Sequence, residues 1–111
     1  MKREYKLFLK DIEESATFIE NYTQNLSEED FKKNIQVQDA VIRRLEIMGE
    51  ASKNIPRAFK EKNQNIDWQE LSSFRNFITH SYFEASLTKI WGIVVKRVPK
   101  IKSELKKVKF V

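Results

Sequence analysis

The chain has 111 residues, with no cysteine, two glycines, two prolines, 33% charged and 41% hydrophobic side chains, and a net charge of +5. That length suits one domain, residues 1–111, and the scarcity of turn formers predicts an all-α protein that needs no strand. Without cysteine there are no disulfides, thiolate metal sites or cysteine nucleophiles, which fits a cytoplasmic setting; Lys10, Asp11, Glu13 and Glu14 break the apolar N-terminal pattern, so no signal peptide or membrane span is expected.

Tyr5, Phe8, Ile12, Ser15, Ile19 and Tyr22 recur at three- and four-residue steps, predicting an amphipathic helix from about Lys2 to Thr23. Ser27 before Glu28, Glu29 and Asp30 offers a hydroxyl cap with acids in the first turn, starting a short connector helix that ends near Asn34. Val37, Val41, Leu45, Met48, Ala51 and Ile55 form a second long stripe, closed by Pro56. Gly49 lies inside that helix, where it permits close packing. After a polar loop around residues 62–65, Asp67 caps a helix with Glu70 in capping-box spacing and Leu71, Phe74 and Ile78 facing inward. Residues 80–86 read as the end of that helix and a loop. Leu87, Ile90, Val94, Val98, Ile101, Leu105 and Val108 then give a final helix that bends near Pro99.

Charge is unevenly distributed. Residues 87–111 carry eight Lys or Arg against the single acid Glu104, a net of +7, while residues 1–86 sum to −2. A basic last helix attracts a polyanion through counterion release, but a solvated helix face has the same composition, and both readings stay open on charge alone.

Chemistry concentrates between Ser73 and Phe83, where the only histidine, His80, shares eight residues with Arg75 and Tyr82. Imidazole gives and takes protons near neutral pH, and a guanidinium is a fixed cation suited to phosphate, so the trio suggests phosphodiester chemistry. On a continuous helix Arg75 and Tyr82 point nearly the same way and His80 is rotated by about 140° from Arg75. A helix break near Thr79 or His80, or a second copy of the chain, would bring the groups together. The bland alternative makes His80 a helix-terminus residue, Arg75 a salt-bridge partner and Tyr82 a core edge. No Gly-rich phosphate loop or metal-ligand spacing occurs, so neither a metal nor a cofactor is expected. Trp68 and Trp91 read as core or interface anchors, and Glu50 as structural.

The run Arg75-Asn76-Phe77-Ile78-Thr79-His80-Ser81-Tyr82 matches the R(x4)HxY motif of HEPN-domain ribonucleases, and the chain resembles the HepT-like toxins among them. The resemblance extends through Val41 to Ala51, through Ile66-Asp67-Trp68, and through Tyr82-Phe83, Trp91 and Pro99. It implies an antiparallel four- to five-helix bundle that forms a homodimer, with two motifs lining one composite cleft and cutting RNA without metal. By the same resemblance His80 handles proton transfer, Arg75 stabilises the phosphorane charge and Asn76 orients the site, leaving 2′,3′-cyclic phosphate and 5′-hydroxyl ends. Tyr82 would accept AMP from a cognate minimal nucleotidyltransferase antitoxin, silencing the toxin of a type VII-like toxin-antitoxin pair. A single histidine per chain gives an independent motive for the dimer, because attack by the 2′-hydroxyl is helped by both a base and an acid. The competing expectation is a non-catalytic helical module that binds a nucleotide or the nucleotidyltransferase; a third is a dimerisation protein with no nucleic-acid role.

Overall fold

Helix α1 spans Tyr5–Thr23 and buries Leu9, Ile12, Ala16 and Ile19 along one stripe, with Tyr5, Phe8 and Tyr22 at its edges. The structure, a computed structural model, describes residues 4–76 and 84–110, so Lys2 lies outside the described residues. Asn25, at φ 65°, takes the left-handed conformation that asparagine tolerates and turns the chain into α2, Glu28–Lys33. A capping box starts α2: Asp30 N–H donates to Ser27 Oγ at 3.1 Å, and Ser27 N–H donates to the Asp30 carboxylate at 3.0 Å. Phe31 from this connector is fully buried and lies 5.3 Å from the ring of Trp91.

Asn34 ends α2 and begins α3, Ile35–Lys53, its side chain accepting from Val37 N–H at 3.0 Å. Val41, Leu45 and Met48 of α3 are fully buried, and this helix packs along α1 to form the main seam of the core. Pro56 ends the stripe as expected. It also starts a further short helix, α4 (Arg57–Lys62), because its fixed φ of −60° suits an N-cap and its carbonyl accepts Lys60 N–H at 3.1 Å.

The polar loop after α4 is built on Asn63, a buried side chain that donates to Phe59 O and Lys109 O and accepts from Lys109 N–H. It thereby fastens the C-terminal segment to the middle of the chain. Trp68 Nε1 donates to Asn63 O, so one tryptophan is an anchor beside this latch, as Trp91 is beside Phe31.

Helix α5 covers only Trp68–Ser73, and a 3₁₀ turn, Phe74–Asn76, follows it. Leu71 and Phe74 are buried as predicted, but the α-helical register stops before Phe74 rather than continuing toward Ile78, which lies outside the described residues. Two serines account for the tightening. Ser73 Oγ donates to Glu70 O at 2.6 Å, and Ser72 Oγ meets Ser52 Oγ of α3 at 3.0 Å, drawing the end of α5 onto α3.

Helix α6, Glu84–Gly92, passes through a wide π turn, Ile93–Arg97, into α7, Val98–Leu105. The expected irregularity thus lies just before Pro99. Val98 N–H reaches back to Ile93 O, and the widened turn absorbs the missing N–H and bulky ring of Pro99 without ending the helix. Ile90, Val94, Val98, Ile101 and Leu105 are buried from this composite helix, and α7 packs on α1. The result is an all-helical bundle with no strand among the described residues.

Candidate active site

The site begins with Gly49 of α3. A methyl group at this position would stand 2.9 Å from Arg75 N, 3.1 Å from Leu71 O and 3.3 Å from Arg75 Cβ, so only a residue without Cβ lets the Arg75 turn lie this close to α3. Phe74, buried one residue earlier, anchors the same turn from the core side. The hydroxyl pair Ser52–Ser72 holds the two backbones together one helical turn away. Sequence and packing therefore converge on fixing the backbone of Arg75, while its side chain stays 42% exposed.

Glu50, next to Gly49, places a carboxylate oxygen 3.9 Å from Arg75 Nη1. With both groups half-exposed and beyond hydrogen-bond distance, such a pair contributes less than about 1 kcal/mol to stability, and it sets a negative charge beside the guanidinium. This acid was read from the sequence as structural only. Its relation to Arg75 was hard to see because residues 25 positions apart meet through tertiary packing, although Gly49-Glu50 lies inside the α3 segment that carried the resemblance.

Asn76 follows Arg75 on the exposed turn and lines a groove of about 590 Å³ with Ser73, Phe74, Ser86, Lys89 and Ile93. Arg75 and Asn76 are thus brought to one solvent-facing turn. His80 and Tyr82 lie outside the described residues. On the floor of the groove, Glu70 turns its carboxylate to Arg97, whose Nε donates to its two oxygens at 2.9 and 2.8 Å, rather than back toward Asp67. The Glu70 hydrogen bonds raise the Arg97 pKa above the ordinary guanidinium value. Asp67 accepts from Glu70 N–H at 2.9 Å, so the expected cap of α5 forms through one bond of the box. Among the described residues no group of three or more His, Asp or Glu side chains is gathered in a way that could hold a metal ion.

The arrangement supplies a fixed cation and, next to it in the chain, an amide that lines a groove, which is a means of holding a phosphodiester. Comparison with known proteins agrees with that chemistry. A "Gamma-glutamylcyclotransferase and putative RNase" of Methanocaldococcus jannaschii is 43% identical over 97% of this chain, which spans 49% of that relative. The "Probable ribonuclease HepT" of Thermococcus cleftensis is 40% identical, with 98% of this chain and 99% of the relative covered. A "Putative RNase" of M. jannaschii is 43% identical over 94% of this chain and 95% of its own length. No solved structure is a significant match. The family model described as Ribonuclease HepT-like matches residues 12–108, and the chain therefore belongs to the HepT-like ribonuclease family.

Proposed function

We propose that the protein is the toxin of a toxin-antitoxin pair, a single-domain, metal-independent endoribonuclease of the cytoplasm that works as a homodimer. The observation that carries this reading is the Arg75 turn: a guanidinium on a backbone locked by Gly49, with Asn76 beside it at a groove. Arg75 stabilises charge building on the phosphorane, Asn76 orients the scissile group, and His80 moves the proton at the attacking 2′-hydroxyl or the leaving 5′-oxygen. A second copy supplies a second imidazole, giving the base and the acid that one chain lacks. The exposure of Arg75 supports a cleft shared with a partner.

Tyr82 is the proposed acceptor of AMP from a cognate nucleotidyltransferase. Each phosphate added there competes with RNA for Arg75, so inhibition needs no change of fold.

Cleavage of mixed cellular RNA in EDTA by the wild type and by His80→Ala, with analysis of the new ends, tests the catalytic assignment. The expected result is cyclic phosphate ends from the wild type and a loss of at least about a hundredfold in the variant, the usual contribution of a positioned proton-transfer group. Binding of RNA or nucleotidyltransferase by both proteins with cleavage by neither would replace this reading by a binding module.

A further inference from the structure

Helix α5 has six residues, too few to hold its place without tertiary ties, so the position of the Arg75 turn that follows it depends on what fastens it. One side is accounted for: Gly49 and the Ser52–Ser72 pair bring α5 and the turn onto α3. On the other side lies the α6–α7 helix. There the described residues show little packing against α5, and the groove of about 590 Å³ has Glu70 and Asn76 on one wall and Ser86, Lys89 and Ile93 on the other. A charge pair spans the gap. Arg97, the last residue of the π turn, sets Nε 2.9 and 2.8 Å from the two carboxylate oxygens of Glu70 and Nη2 2.8 Å from Oε1. A planar guanidinium that meets both oxygens fixes direction as well as distance, and both side chains are partly buried, where salt screens them less. Ser73 Oγ donates to the Glu70 carbonyl, so the residue clamped by Arg97 is also bonded to the one two positions before Arg75. Asp67 lies three positions before Glu70 on the same turn of helix, and without Arg97 the two carboxylates would repel each other.

We infer that Glu70 and Arg97 are positioning residues for RNA cleavage: the pair ties α5 to the α6–α7 helix, sets the gap of the Asn76 groove and so holds Arg75 and Asn76 where a phosphodiester is bound. The inference rests on the roles proposed for Arg75 and Asn76, and adds what fixes them from the side that α3 does not reach. Neither member of the pair contacts RNA in this account, because the Arg97 guanidinium is already taken up by Glu70.

The test measures kcat and KM on a single-stranded oligoribonucleotide, and amide hydrogen exchange across residues 71–76, for the wild type, Glu70→Gln, Arg97→Met, the two changes together, and Arg97→Lys. Each of Glu70→Gln and Arg97→Met should lower kcat at least about tenfold, within what a displacement of about 1 Å costs, with KM changed by less than about twofold. Exchange at the turn should speed up while exchange in α3 stays as it was. Because the two residues act as one unit, the double variant should fall no lower than either single one. Arg97→Lys keeps the charge without the planar fork and should recover part of the loss. Unchanged exchange at the turn, or unchanged kcat in both single variants, overturns the inference and leaves an ion pair of the fold. Opposite effects on binding of an uncleavable 2′-O-methyl oligouridylate, tighter for Glu70→Gln and weaker for Arg97→Met, overturn it in favour of direct phosphate contact by Arg97. Faster exchange at the turn with no cleavage by the wild type would keep the clamp and remove the catalytic roles it serves.

Discussion

Gly49 is the residue on which the site depends most directly. Replacing a helical glycine by alanine gains about 1 kcal/mol of helix propensity, whereas forcing a methyl group into a packed contact costs about 1–3 kcal/mol. At 2.9 Å from a backbone nitrogen the second effect wins, because neither α3 nor the Arg75 turn has a flexible end to move aside. Gly49→Ala should lower the melting temperature and reduce RNA cleavage by at least about tenfold through displacement of Arg75; a more stable and fully active variant would contradict this. Glu50→Gln keeps the size and removes the charge beside Arg75. It should lower kcat several-fold with little change in melting temperature, and Glu50→Asp should restore part of it. Ser15 presents the opposite case. Its buried hydroxyl finds no partner among the described residues, and an unsatisfied buried hydroxyl costs about 1–3 kcal/mol. Ser15→Ala should therefore raise the melting temperature by a few degrees, read by calorimetry.

At the level of elements, the helices were legible wherever local chemistry decides them. The stripes of α1 and α3, the Ser27 cap and the Asp67 cap each depend on residues within one or two turns, and each forms. The Arg75 turn was legible in composition but not in shape. Its 3₁₀ form goes with the local Ser73–Glu70 bond and with Ser52, Ser72 and Gly49 drawing α5 against α3, and the second is a long-range effect that no spacing near Arg75 encodes. For the same reason the Asn63 latch, which joins residues 46 apart, has no local signature. The caps predict an acid response. Hydrogen bonding to Ser27, chiefly to its backbone, lowers the Asp30 pKa, and the Asn65 amide does the same for Glu104. Carboxyls with depressed folded pKa values add stability above their ordinary range and lose it as pH falls through the folded values. Denaturant titrations at pH 7 and pH 3 should show Asp30→Asn and Glu104→Gln losing less stability on acidification than the wild type; equal losses would show that these two bonds do not set the acid limb.

For the whole molecule, a bundle that spends its core on α1, α3 and the α6–α7 helix leaves α5 and its turn at the surface, one face given to packing and the other to solvent. Among the described residues no helix is long and apolar enough to cross a membrane. The proposed catalytic role gives a reason for an exposed arginine on this turn in a chain of the HepT-like ribonuclease family, and the proposed dimer gives a reason why one histidine per chain would suffice. The decisive measurement is RNA cleavage in EDTA over a protein concentration range in which sedimentation follows the monomer and the dimer. The account predicts cyclic phosphate products at a rate per chain that rises in proportion to the dimer fraction. A strictly monomeric preparation that cuts at full rate, or a dimer that cuts only with added metal, would contradict it.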